Sequence, residues 1–283
     1  MSHAGIVACT ISFYSLRTYC AISVFHLSNT QPANPSLIPT FYSPFSMTQF
    51  FVKDYTGAPF ELFGRAHLVA LALVVLVNIL IVASRKQFTP RGKLIFRNGL
   101  ATILVVNELA WHLWNYFTGQ WTIQTMLPLH LCSVLVWVSA YMLFTRSYAI
   151  YEFAYFLGIA GAIQALLTPD AGIYGFPHFR FIQTMLSHGS IVTAAIYMTF
   201  VEGYRPYWSS LVRVAVWGNV YMVAIGLVNW LIGSNYLFIA HKPATASLID
   251  VLGPWPWYIL SLEVLAMLMC LLLYLPYTLH DRR

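Results

Sequence analysis

Seven apolar stretches, each close to the length of a membrane-crossing helix, constrain this chain more than any other feature. They run over about residues 66–84, 95–117, 127–145, 149–167, 180–201, 209–232 and 256–279. A helix needs about 20 mostly apolar residues to cross the hydrocarbon core. The loops between them are too short to hold a soluble domain. Only 8% of the residues are charged, against about 25% in a typical soluble domain. The expectation is an all-α, polytopic membrane protein with about seven transmembrane helices. The third and fourth stretches are separated only by Arg146-Ser-Tyr148, so a tight turn is required there.

The formal net charge of +6 does not point to nucleic acid, because the basic residues sit in short loops. Ten Lys and Arg residues fall on one side of the seven stretches: Arg85, Lys86, Arg91, Lys93, Arg97, Arg146, Arg205, Arg213, Arg282 and Arg283. Four fall on the other: Lys53, Arg65, Arg180 and Lys242. By the positive-inside rule the C-terminus is cytoplasmic and the N-terminus outside.

Residues 1–46 have a different character. They hold no acidic residue, one Arg and scattered Ser, Thr and Pro, and their apolar runs are broken. They read as a non-native or disordered extension, and 47–283 as the transmembrane domain. Of the four cysteines, Cys132 and Cys270 fall in apolar stretches, and no CxxC spacing suggests a zinc site.

Orientation makes depth readable, at about 1.5 Å per helical residue. Glu108 and His112, four apart and so on one face, fall near the outer end of the second stretch. His130 and Cys132 open the third, in Leu127-Pro-Leu-His-Leu-Cys-Ser133. Thr125 is placed to cap a helix there, with Pro128 in its first turn. Thr184 and His188 lie one turn apart in the fifth stretch, and Glu263 is under two turns into the seventh. His67 and Asn229 fall at the same level, and the outer loops add Asp170, His178, Arg180 and His241. The inner halves hold almost nothing ionisable. Ionisable groups inside a bilayer are costly and normally face a bundle interior or a wet cavity. One shared polar pocket opening outward is therefore expected. A lone membrane histidine, by contrast, often serves only as an interhelical hydrogen-bonding group. The tryptophans Trp111, Trp114, Trp121, Trp255 and Trp257 read as an interfacial belt.

At Leu127–Ser133, Gln164-Ala-Leu-Leu-Thr-Pro-Asp170, Phe176-Pro-His-Phe-Arg180, Ser187-His-Gly189 and Gly253-Pro-Trp255 the sequence resembles the YwaF family of bacterial multi-pass membrane proteins. That resemblance covers about residues 47–280 and implies a bacterial plasma-membrane location. The YwaF family is in turn distantly similar to an animal transmembrane phospholipid acyltransferase that works through a cysteine acyl-enzyme in a Pro-Cys-His motif. On this chain the Pro matches Pro128 and the His matches His130. The Cys position holds Leu129, and Cys132 stands three residues further on. The second histidine of that enzyme matches His188, and its membrane glutamate matches Glu108.

Three functions fit these residues. The first is a lipid acyl transferase or hydrolase with His130, Cys132, His188 and Glu108 as catalytic residues. Its substrate contacts would be His112, Thr184, Asp170, Arg180 and Glu263. It needs no cofactor and no metal, and its partners are membrane lipids, with a phospholipid or acyl substrate. The second is a non-enzymatic binding protein or transporter for a small or lipid ligand. The third is a zinc hydrolase using His67, His112, His130 and His188 with Glu108, without any tight ligand spacing to support it.

Overall fold

The computed structural model describes residues 47–243 and 248–281. The reading of residues 1–46 as an extension lies outside the described residues. Every regular element among the described residues is helical. One turn, α1 (Met47–Phe50), precedes α2 (Arg65–Ala83), α3 (Pro90–Phe117) and α4 (Leu131–Thr145). Next, α5 (Tyr148–Phe153) runs through a π-helical turn at Ala154–Gly158 into α6 (Ile159–Leu167). Then come α7 (Phe179–Phe200), α8 (Trp208–Ile232) and α9 (Trp257–Asp281). Each apolar stretch of the sequence therefore holds a helical rod.

Five rods are long and apolar enough to cross a membrane: α2, α3, α5–α6, α8 and α9. The other two fall short for different reasons. α4 has only 15 residues. α7 has 22, but Arg180, Gln183, Thr184, Ser187 and His188 dilute its apolar content. That dilution follows from its place. α7 packs against α2, α3, α4, α6 and the π-turn and is buried along most of its length. A helix walled by other helices meets little lipid, so small and polar residues can line it and let its neighbours approach. At Gly189 a Cβ would lie 2.8 Å from Val74 Cγ2 of α2. Nearby, the Asn78 amide donates to Thr193 Oγ1 at 3.2 Å. The Asn107 amide donates to the Gln183 carbonyl at 3.1 Å.

The start of α4 differs from the expectation. Its N-cap is His130, and the Thr125 hydroxyl meets the Thr122 hydroxyl at 2.8 Å instead of capping a helix. Pro128 lies in the preceding turn. Backbone partners from distant tyrosines hold that turn in place of a helical ladder. The Leu127 N–H donates to the Tyr236 hydroxyl at 2.9 Å, and the Tyr221 hydroxyl donates to the Leu129 carbonyl at 2.9 Å. At the other end of α4, Arg146 in the left-handed region (φ 57°) turns the chain straight into α5, as the short spacer required.

The end of the bundle near the α4–α5 turn is not poor in ionisable groups, which corrects the sequence reading. Glu152, 1% exposed, accepts from Ser210 Oγ at 2.6 Å and from the Arg213 guanidinium. Arg97 pairs with Glu202 at 3.5 Å. Tyr151, Phe156 and Tyr197 are fully buried here. Glu152 sits inside an apolar run, and its partner Arg213 lies 61 residues away. No local pattern announces the pair.

Candidate active site

At the opposite end, where α3 stops and α4 and α7 begin, α3, α4, α6, α7 and α9 wall a cavity of about 640 Å³. Glu108, His112, His130, Cys132, Asp170, Arg180, Thr184 and His188 all line it. Leu131, Leu157, Ala160, Leu262, Leu265 and Ala266 supply an apolar wall. The chamber is thus amphiphilic in cross-section.

Backbone partners fix the histidine tautomers, because a carbonyl can only accept and an amide N–H can only donate. His188 Nδ1 lies 2.8 Å from the Thr184 carbonyl, so that nitrogen carries the proton. Nε2 of the neutral ring is then left with a free lone pair. His130 is the reverse: its Nδ1 accepts from the Leu237 N–H at 3.3 Å, so the proton is on Nε2. His112 Nδ1 accepts from the Trp121 indole at 3.1 Å, which turns its Nε2–H toward Glu108 Oε1 at 3.7 Å. The chamber therefore holds one imidazole base and two imidazole donors.

Glu108 is 3% exposed and Thr184 2%. Glu108 Oε1 and Thr184 Oγ1 have no hydrogen-bond partner. The Ser133 hydroxyl faces the Glu108 carboxylate, and Arg180 and Cys132 lie within its electrostatic reach. Arg180 donates to Gln183 Oε1 at 2.8 Å and to the Asp170 carbonyl at 3.1 Å. Its guanidinium stacks 4.0 Å over Trp111. Cys132 is a free thiol at the second helical position of α4, after His130 and Leu131. Leu129 does not line the chamber; Cys132 does.

Several sequence candidates lie elsewhere. Glu263 lines an adjoining cavity between α8 and α9. His67 is structural: its Nδ1 accepts from the Phe63 N–H at 3.0 Å, and its Nε2–H donates to the Leu166 carbonyl at 2.7 Å. Asn229 shapes the turn after α8, donating to the Tyr236 carbonyl and accepting from Ser234 Oγ and the Tyr236 N–H. His241 meets the Asn235 amide in the same turn. His178 caps α7, accepting from the Arg180 N–H at 3.0 Å and donating from Nε2 to the Val52 carbonyl at 2.9 Å. Burial holds its imidazole below the ordinary histidine pKa.

Among the described residues no three His, Cys, Asp or Glu side chains are grouped to hold a metal ion. His67 has both nitrogens in use and stands off the chamber. The four-histidine zinc arrangement is therefore not formed.

The sequence reading missed several lining residues. Ser133 closes the Leu127–Ser133 stretch and lines the chamber beside Cys132. Gln164, whose amide contacts Met269 Sδ at 2.8 Å, opens the Gln164–Asp170 stretch. Leu237 and Phe238, with φ of 58° and 53°, reach the chamber from a loop and carry no sequence signal. The tryptophans also do more than mark an interface. Trp111 carries Arg180, Trp121 orients His112, and Trp114 donates to the Phe51 carbonyl at 2.8 Å.

The fold and chamber together define an all-helical, multi-pass membrane protein with a polar cavity among its helices. The chain belongs to the TMEM164 family, whose sequence profile matches residues 62–274. No curated protein and no solved structure matches the chain.

Proposed function

We propose that the protein moves acyl chains on membrane lipids, with Cys132 as nucleophile and His188 as general base. The observation that carries this reading is that the Cys132 thiol and the free Nε2 of His188 belong to one amphiphilic chamber, beside the buried Glu108.

Sγ of Cys132 attacks the ester carbonyl of a phospholipid while its proton passes to His188 Nε2. The S–C bond forms and the bond between the acyl carbon and the glycerol oxygen breaks, and the departing oxygen takes that proton to leave as a lysophospholipid hydroxyl. An acceptor hydroxyl, from a second lysolipid or from water, then attacks the thioester. Its proton passes to His188 and on to Sγ as the C–S bond breaks. The Nε2–H of His130 is a donor for the carbonyl oxygen as charge develops there. Glu108 and His112 position the polar wall. Thr184, Asp170 and Arg180 contact the head group. Glu263 belongs to the neighbouring cavity.

Orientation is part of the same reading. Ten basic residues against four support a chamber facing outward and a cytoplasmic C-terminus. The YwaF likeness supports seven crossings and a bacterial plasma membrane. The far end of the bundle, filled by buried aromatics and ion pairs, argues against a transport path through the protein.

Acyl exchange in proteoliposomes tests the proposal, with a labelled phospholipid as donor and an unlabelled lysophospholipid as acceptor. Exchange should be lost in Cys132→Ser and in His188→Ala. An unchanged rate in Cys132→Ser would remove the thiol mechanism. Lipid retained by the wild type without any exchange would leave the binding-protein reading.

A further inference from the structure

A second cavity of about 300 Å³ lies between α8 and α9. It shares Leu131, Leu157, Leu237, Leu262 and Ala266 with the chamber wall. The two cavities adjoin along these shared apolar side chains, and Leu131 directly precedes Cys132 in the chain. Leu211, Val214, Ala215, Met222 and Ile259 make the second cavity aliphatic. Asn219 and Met267, which line it, are also exposed on the protein surface, so it reaches the outside through the side of the bundle. Both flanking helices are among the least buried spans.

The geometry points to this cleft as the lateral seat of the acyl chain whose ester lies in the chamber. This rests on the proposed acyl transfer. The occupant follows from length and continuity. On α9 the lining runs from Ile259 to Cys270 and on α8 from Leu211 to Met222, each about 16 Å along the helix. One leaflet's chains fill about 15 Å, half of the ~30 Å hydrocarbon core. The cleft is therefore about as long as the chains of one leaflet, and Leu131, the chain neighbour of Cys132, is part of its wall. Its one carboxylate, Glu263, lies within the first two turns of α9, and the lining further along the helix is apolar.

Labelling of Cys132 reads this route without requiring catalysis, so the cleft and acyl transfer can fail separately. The starting protein is the full chain with Cys9, Cys20 and Cys270 each replaced by Ser, held in lipid nanodiscs. Two probes are compared, N-ethylmaleimide and a maleimide carrying a hexadecyl chain. At Gly218, which lines the cleft, an added Cβ meets nothing within 4 Å. Gly218→Trp fills the cleft without touching the chamber. Val216→Trp, on the exposed side of α8, is the control. The expected result is at least a tenfold loss of hexadecyl labelling in Gly218→Trp, with N-ethylmaleimide labelling unchanged and Val216→Trp like the parent. Equal hexadecyl labelling in both variants overturns the proposal. If Gly218→Trp also loses the small-probe reaction, Gly218→Leu replaces it and the same two outcomes decide.

Discussion

His188 donates its Nδ1 proton to the carbonyl of Thr184, one turn earlier on α7, at 2.8 Å. The bond uses the helix's own backbone to fix the ring, so Nε2 keeps its lone pair with no carboxylate in attendance. A proton acceptor is thereby oriented by a carbonyl that cannot ionise. Across the chamber, His130 is set the other way by the Leu237 N–H. Two histidines with opposite tautomers give the polar wall a proton acceptor and a proton donor.

Glu108 should matter to stability as well as to the chamber. Its carboxylate is buried beside His112, Ser133 and Arg180. Glu108→Gln keeps the shape and most hydrogen-bonding capacity, and little change in thermal stability is expected. Glu108→Ala removes the acceptor that the Ser133 hydroxyl faces, and a loss of about 1–3 kcal/mol follows from leaving that polar group unmet. Thermal unfolding of both variants in detergent checks the ordering. Equal stability would place the carboxylate outside the network.

Gly189 marks the closest approach of α2 and α7. Adding a methyl there puts carbon 2.8 Å from Val74 Cγ2, and overpacking of this kind costs about 1–3 kcal/mol. Gly189→Ala should therefore lower the unfolding temperature, and Val74→Ala in the same chain should recover part of the loss. Additive losses in the double variant would show that the two residues do not meet.

Tyr236 ties two loops over the chamber. Its hydroxyl accepts from the Leu127 N–H and donates to the Ile123 carbonyl at 2.7 Å. Tyr236→Phe leaves both backbone groups without that partner. Hydrogen exchange should accelerate through residues 123–129 while α2 and α9 stay protected. Unchanged exchange there would mean that the hydroxyl does not hold the loop.

Residues 51–53 are sewn to the chamber end by Trp114, His178 and Tyr174. Protonating His178 would place a second proton on Nδ1, where it now accepts from the Arg180 N–H. Its folded pKa is depressed from the ordinary 6.5 by burial. Its contribution is thus complete above about pH 6.5 and lost as pH falls below that value. Proteolysis of this strap should speed up between pH 7 and pH 5 in the wild type. In His178→Ala it should be fast throughout. A flat wild-type profile would contradict the assignment.

Much of the layout was legible in the sequence because bilayer thickness sets helix length. All seven rods fall within a few residues of the apolar runs. The convergence of Glu108, His112, His130, Cys132 and His188 on one cavity followed from counting residues along those rods. Depth alone, however, does not give azimuth. His67, Asn229 and Glu263 share that level and face other surroundings, since which side of a helix meets the chamber depends on how the helices pack. The start of α4 was misplaced because tyrosine hydroxyls 92 and 109 residues away hold the backbone around Pro128. Glu152 was missed for the same reason: its cation comes from another helix.

The chemistry is tested most directly by intact-protein and peptide mass spectrometry after incubation with a p-nitrophenyl acyl ester in nanodiscs. The account predicts a single hydroxylamine-sensitive acyl adduct on Cys132. Its formation should slow by about 10²–10⁴ in His188→Ala, the usual contribution of a general base, and it should be absent in Cys132→Ser. An adduct that forms as fast without His188, or that sits on another residue, would contradict the account.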